Sequence, residues 1–253
     1  MKVKFWGVRG SIAAPGMDTA RYGGNTTCIE VRTDEGHIII LDGGTGIRPL
    51  GLELLKALPV KANIFISHTH WDHIKGVDEL LQIADNDIII RCHIFEQKRG
   101  FSHPDVHWWK HAECTSVSQD FGALNFAIYC TPGHSPGHVV FIVDGAVISG
   151  DCLFLGSCGR TDLNGGSKYK QRISLLYLRD ILRNLPQDNL VLPGHQYELS
   201  DGSNPTVLNL VDFMAKNEAL KSIDNEKDWN NLPFLSFDDN LAEKARRQRA
   251  QNS

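Results

Sequence analysis

Between residues 67 and 73 the chain reads Ser-His-Thr-His-Trp-Asp-His, at the end of the apolar run 62–67. An apolar run of this length, bounded by polar residues, predicts a buried strand. On extended backbone alternate side chains share a face, so His68 and His70 point together. Asp72 and His73 follow one turn later and aim at a neighbouring point. Four ligand-type side chains within six residues are poorly explained by packing. Buried imidazoles this dense repel one another when protonated and leave donors unpaired when neutral. A metal ion removes both difficulties. The chain is therefore constrained to a fold that ends a buried strand at a rim where further ligands can gather.

Candidates for those ligands recur at the ends of other apolar runs. Thr131-Pro132-Gly133-His134 closes the strand expected over 125–131, and Gly150-Asp151 follows the strand 146–149. The β-branched run 37–41 ends at a turn signal, Asp42-Gly43-Gly44, while Leu192-Pro193-Gly194-His195 closes the strand 189–192 as the third candidate. Singly, each reads as a turn. Together with the central cluster they form one set presented from strand ends.

The remaining pattern gives strands over 2–8, 26–32, 88–95 and 138–143. Helices are expected over 45–58 with Thr45 as N-cap, over 74–83, over 172–185 and from 207 to 214 after Pro205. The apolar stripe of 172–185 (residues 173, 175, 176, 178, 181, 182 and 185) has helical period and one buried face. Residues 98–120 are polar, aromatic and aperiodic. They read as an irregular loop, with His103, His107, Trp108, Trp109 and His111 forming an aromatic lid over the pocket. The end, 240–252, is charged and at best amphipathic. Strands in two blocks with helices after each predict an α/β protein of two helix-covered sheets. No linker divides the chain, so residues 1–203 form one catalytic domain and 204–253 a C-terminal helical extension packed on it.

With 253 residues the chain can bury a large core unaided. A net charge of −4 offers no basic groove for nucleic acid and no attraction to anionic membrane. No apolar stretch approaches a membrane span of about 20 residues, and the first residues lack the apolar core of a secretory signal. The six Cys form no CxxC pair and fit reduced thiols in a cytoplasm. Cys152 reads as a small packed residue. The apolar segment 233–237 suits packing on the body or, in a homodimer, on a second subunit.

The succession HxHxDH, His, Asp, His resembles the metallo-β-lactamase-fold superfamily over about residues 1–200. The resemblance implies an αββα sandwich of two mixed β-sheets flanked by helices. It implies that His68, His70 and His134 hold one metal, that Asp72, His73 and His195 hold a second, and that Asp151 bridges them. Asp42 takes the place of a residue that supports the site without ligating it. The cofactors expected are two divalent ions, zinc first, with manganese or iron also compatible with mixed His and carboxylate ligands. A hydroxide shared between the ions is the expected nucleophile. Asp72 is the catalytic candidate, holding or relaying the proton.

Within the superfamily the motifs divide. Gly150-Asp151-Cys152-Leu153-Phe154 and Cys158-Gly159-Arg160-Thr161-Asp162 resemble hydroxyacylglutathione hydrolases and persulfide dioxygenases. Gly7-Val8-Arg9-Gly10-Ser11 and Tyr22-Gly23-Gly24-Asn25-Thr26-Thr27 resemble the phosphodiesterase-like branch. Arg9, in a loop able to cradle phosphate, Arg160 and Tyr197 are the candidate substrate-binding residues. The plain alternatives are a glycine turn for 7–11, an ion pair with Asp162 for Arg160, and packing for Tyr197. Three functions follow. The first is a dinuclear hydrolase of a thioester, an ester or lactone, or a phosphodiester, with a small-molecule substrate. The second is a mononuclear iron dioxygenase of glutathione persulfide, with iron on His68, His134 and Asp151. The third, a non-catalytic metal-binding module, fits poorly with a ligand set from which nothing is missing.

Overall fold

The fold is taken from a computed structural model, which describes residues 1–82, 87–97, 99, 101 and 106–236, apart from the side chain of Asp18. Strands β1 (Lys2–Gly7), β2 (Cys28–Arg32), β3 (Ile38–Leu41), β4 (Lys61–Phe65), β5 (Asp87–His93) and β6 (Val106–Trp109) form a sheet in chain order. The pairs from β1 to β3 are antiparallel and those from β3 to β6 parallel. The second sheet comprises β7 (Ser116–Phe121), β8 (Leu124–Cys130), β9 (Val139–Val143), β10 (Ala146–Gly150), β11 (Leu190–Pro193) and β12 (Leu208–Asn209). Its spatial order is β12-β11-β10-β9-β8-β7, and only β10 and β11 pair in parallel.

Strand period explains the layering. In β9, Val139, Phe141 and Val143 enter the core between the sheets, whereas Val140 and Ile142 enter the core under the outer helices. In β3, Ile39 and Leu41 face inward and Ile40 faces outward. Strands covered on both faces read as continuous apolar runs, which is why these segments show no polar alternation. Outside the first sheet lie α1 (Ile47–Leu54) and α3 (Val77–Leu81), while the short α2 (Trp71–Ile74) comes after β4 and α4 (Ile94–Gln97) directly after β5. Outside the second lie α5 (Lys168–Arg183), α6 (Leu210–Lys216), α7 (Glu218–Ser222) and α8 (Glu226–Asn230). Helix α5 is capped by Ser167 and buries Leu175, Leu178 and Leu182, the face its stripe predicts. The result is the expected αββα sandwich of two mixed sheets. Phe213, Leu220, Trp229 and Leu235 complete the outer core of the second sheet, and Thr161 N–H donates to the Leu235 carbonyl at 2.8 Å. Phe234 and Leu235 thus pack on the body of the same chain, while Phe237 and 240–252 lie outside the described residues. Among the described residues no helix is long and apolar enough to cross a membrane.

Several boundaries differ from expectation for local reasons. Thr45 does not cap α1. The N-cap is Gly46, and the Thr45 hydroxyl accepts instead from Thr26 N–H at 2.9 Å. The helix expected over 74–83 divides into α2 and α3, because Gly76 lies against the Gly43–Gly44 turn and a Cβ there would sit 2.4 Å from Ile47. Its last residue, Ile83, lies outside the described residues. The strand 88–95 stops at His93, where α4 begins. The helix expected from 207 starts at Leu210, after the short β12, with the Asn209 side chain accepting from Asp212 N–H.

The aromatic lid is the main correction. Residues 106–109 are strand β6 at the edge of the first sheet, with Trp109 packed toward the inter-sheet core and Trp108 toward the outer one. His107 is exposed, His111 offers its carbonyl to His93 Nε2, and His103 lies outside the described residues. Four residues reading Val-His-Trp-Trp are too few to display a period of two.

Phe65, fully buried at the end of β4, is the hub of the inter-sheet core. Its ring lies 5.0 Å from Phe126, 5.9 Å from Phe121 and 5.7 Å from Trp109. Phe65→Ala is expected to cost about 3–5 kcal/mol, the range for emptying a rigid aromatic site. Urea unfolding of the metal-free protein reads it, and a loss below about 1 kcal/mol would show that the sheets close over the gap.

Candidate metal centre

Strands β3 and β4 run in parallel, and β8, β10 and β11 share one direction. Their C-terminal ends therefore meet at one rim. After β4, Ser67 N–H and Oγ–H both donate to Asp42, at 2.7 and 2.8 Å. Asp42 itself follows β3 in the left-handed region (φ 62°), a conformation Asp tolerates. His70 ends the extended stretch and N-caps α2, whose first turn swings Asp72 and His73 back toward His68. Val139 N–H donates to the Ser67 carbonyl, tying this corner to the second sheet.

The rings are oriented by what lies behind them. His73 Nδ1–H donates to Asp42 at 2.8 Å, and His134 Nδ1–H to the Arg160 carbonyl at 2.7 Å. The Ser67 hydroxyl, its hydrogen given to Asp42, accepts from His68 Nδ1 at 3.1 Å. The Thr27 hydroxyl, its hydrogen given to the Gly194 carbonyl, accepts from His195 Nδ1 at 3.3 Å. All four therefore turn Nε2 inward, the arrangement by which outer partners fix the tautomer of a metal-binding imidazole. His70 is reversed: its Nδ1 lies 2.9 Å from His68 Nε2 and 2.8 Å from His134 Nε2.

Two abutting ligand sets result. His68, His70 and His134 converge in one, and Asp72, His73 and His195 in the other, with ligand atoms of each set within 4.8 Å of one another. Asp151 lies between them. Its Oδ2 is 3.5 Å from His134 Nε2, and its Oδ1 is 3.3 Å from His73 Nε2 and 3.2 Å from His195 Nε2. Oδ1 is buried without a hydrogen bond, as is Nε2 of His70. Lone pairs converging in this way, with a buried carboxylate oxygen left over, are compatible with bound metal.

Charge divides the sets likewise. Burial holds His68, His134 and His138 below the ordinary imidazole range, and it lowers His70 to about 3. Unprotonated rings at His68, His70 and His134 offer lone pairs to the centre, whereas His138 accepts from Asp151 N–H. Burial works the same way on His73 and His195, but the carboxylates outweigh it. Asp42 and Asp151 raise His73, and Asp151 with Asp72 raises His195 to about 9. The second set is a negatively charged pocket that takes up positive charge. Burial also raises Asp72 and Asp151, but His195 and His73 beside them outweigh it and hold both carboxylates low.

A cavity of about 520 Å³ opens on the centre. Phe154, Leu163, Tyr197 and Phe234 line its apolar side, and Ser11 and Arg160 its polar side. Tyr197 thus stands where a substrate would pass. Arg160 also reaches the cavity, but its guanidinium forks onto Asp162 at 2.6 and 2.7 Å. Arg9 is not among the lining residues; its side chain is exposed and donates to the Ile12 carbonyl. In the 7–11 loop two amides are already engaged, Arg9 N–H by the Asn25 carbonyl and Ser11 N–H by Asp72. Cys152 is buried in the outer core.

Some supporting residues carry no local signal. His138 accepts from Asp151 N–H and packs on the His68 ring, and Gln171 accepts from His134 N–H. The repeated Pro-Gly-His of 136–138 was the one visible hint of the first. Gly159 has a steric role: a Cβ would sit 2.1 Å from the Asp151 carbonyl and 2.7 Å from His134 Nδ1.

A sandwich of two mixed sheets with clustered His and Asp side chains at its strand ends defines a class, the α/β proteins with a candidate metal site at one rim of the sheets. The profile of the metallo-beta-lactamase superfamily matches residues 21–195, and the chain belongs to that superfamily. The hydroxyacylglutathione hydrolase of Tolumonas auensis is 33% identical over 160 residues, covering 63% of this chain and 57% of that enzyme. The match thus spans less than two thirds of the relative's length. Among solved structures, ETHE1 from Myxococcus xanthus superposes with a TM-score of 0.58 at 23% identity, covering 82% of this chain and 88% of the other. TTHA1623, solved in a di-iron-bound form, gives 0.53 at 28% identity, covering 74% and 91%.

Proposed function

We propose that the chain is a dinuclear metal-dependent hydrolase of a small thioester or ester. The observation that carries this reading is Asp151, whose two oxygens face different ligand sets. Divalent ions bound there supply Lewis acidity toward the scissile carbonyl and a hydroxide nucleophile near neutral pH. Zinc suits the three-imidazole set, and the di-iron form of TTHA1623 supports iron as an alternative. The chain's own residues orient the ligands, exclude water and receive the substrate. Asp72, its Oδ2 held by Ser11 N–H at 2.7 Å, stays ionised as an acceptor at the cavity floor. Phe154, Leu163, Tyr197 and Phe234 provide an apolar wall for the acyl or thiol portion. The names of the hydroxyacylglutathione hydrolase relatives support a thioester. Engagement of the Arg9 and Ser11 amides leaves the 7–11 loop fewer donors for a phosphate, which favours a thioester or ester over a phosphodiester. The cavity's size supports a small-molecule substrate, and six free thiols suit a cytoplasmic setting.

Elemental analysis of protein purified without added metal, followed by assays on thioester, lactone and phosphodiester substrates, tests the reading. About two ions per chain and thioester or lactone turnover abolished by a chelator are expected. A single iron per chain with oxygen consumed on glutathione persulfide would replace it with the dioxygenase, and failure to bind metal would leave a non-catalytic module. Asp72→Ala should fold as the parent does but lose about two orders of magnitude in rate, the scale of a lost electrostatic contribution. Steady-state kinetics read this, and a rate within a few-fold of the parent would remove Asp72 from the mechanism.

A further inference from the structure

Three ligands in the first set come from two sheets, so something must hold their loops in register. His68 and His70 follow β4, and His134 follows β8. Between His68 and His70 stands Thr69, which on extended backbone points away from both rings. Its N–H and hydroxyl both donate to Glu96 Oε2, at 2.9 and 2.7 Å. The other oxygen, Oε1, accepts from Ser135 Oγ–H and Gly137 N–H, each at 2.7 Å, immediately after His134. Glu96 is completely buried in α4, with Arg99 as its cationic neighbour at 3.8 Å. One carboxylate therefore takes both loops, one on each oxygen. The second set is anchored elsewhere: His73 by Asp42, Asp72 by Ser11, and His195 by Thr27.

We infer that Glu96 is a positioning residue for the His68, His70 and His134 set: it clamps the two ligand loops of opposite sheets from behind and preforms that half of the centre. The inference rests on the metal reading above. Its reason is mechanical. Bound cations need ligand atoms held within about 0.5 Å, and a side chain hydrogen-bonded to both loops limits their relative movement. A carboxylate suits this task better than an amide, because all four hydrogen bonds arriving at Glu96 come from donors. A Gln would turn its own N–H groups toward one of the loops.

Zinc binding to the full chain, measured by chelator competition and by cobalt(II) absorption, tests this. His70→Ala marks which binding step belongs to the three-imidazole set. In Glu96→Gln that step should weaken about 10–100-fold, the usual effect of removing an outer-shell partner, while the other step changes by less than about threefold. Ser135→Ala and Thr69→Val should weaken the same step by smaller amounts. A folded Glu96→Gln protein that binds both ions like the parent overturns the inference, and so does equal weakening of both steps, which marks a general structural loss. Should Glu96→Gln not fold, unchanged zinc binding in both Ser135→Ala and Thr69→Val overturns it, and selective weakening in either sustains it. A parent chain that binds no zinc or cobalt overturns the metal reading itself, and this inference with it.

Discussion

Asp151→Asn is expected to retain at most one tightly held ion and to lose at least about two orders of magnitude in turnover. Oδ1 of this residue faces His73 and His195, and Oδ2 faces His134. An amide in the same place keeps the shape. Whichever way it turns, one ligand set meets an N–H group with no lone pair to give. The carboxylate also offsets the mutual repulsion of two divalent ions, which is severe at short separation in a partly dry site. With it gone, the second ion should bind more weakly. The competing view makes Asp151 a turn residue after Gly150, which has φ +50°. Asn is a conservative replacement in a turn, and Asp151 N–H would still donate to His138. Metal titration with parallel kinetics separates the views. Two tightly held ions and near-parental turnover in Asp151→Asn would sink the bridging role and the dinuclear reading together.

Asp42→Ala should produce the largest loss of stability at the site, about 3–5 kcal/mol, the cost of leaving a buried pair half broken. The carboxylate accepts from Ser67 N–H, Ser67 Oγ–H and His73 Nδ1–H, all at 2.7–2.8 Å, and it is 3% exposed. No water can replace it cheaply. Ala would also sit in the left-handed region at φ 62°, where it is strained and Asp is tolerated. His73 would lose the acceptor that turns its Nε2 inward, so metal affinity should fall about 10–100-fold as well. Asp42→Asn keeps the backbone preference and one acceptor oxygen, and should lose less than half as much stability. Urea unfolding of the metal-free proteins and zinc competition read the two effects separately. If Asp42→Ala unfolds within about 1 kcal/mol of the parent, Asp42 does not organise the corner.

The candidate ligands were legible in the sequence because several obey local rules, and the resemblance to the superfamily grouped them. His68 and His70 share a face by strand period, and Asp72 and His73 return by one helical turn. His134, Asp151 and His195 each close an apolar run. The two helix-covered sheets were legible from strands in two blocks with helices after each, and the resemblance supplied the sandwich. Where a signal was too short, as in the Val-His-Trp-Trp of β6, the expectation of a lid was wrong.

Hydrogen-bond partners obey no such rule. Glu96 lies 27 residues from Thr69 and 41 from Gly137, and nothing along the chain announces that one carboxylate serves both. Ser11 N–H and Asp72 are 61 residues apart, so nothing along the chain shows that this amide of the 7–11 loop is already engaged. Arg160 and Asp162 are close in sequence, yet only the folded loop decides between a fork onto Asp162 and an open guanidinium. By itself the sequence determined which residues end strands and which faces are apolar, because period and turn chemistry act over a few bonds. Tertiary structure alone decided which nitrogen of each ring points inward, which amides are already spent, and how the two ligand sets share Asp151. Those outcomes depend on where separate strands stop relative to one another, and packing between the sheets sets that.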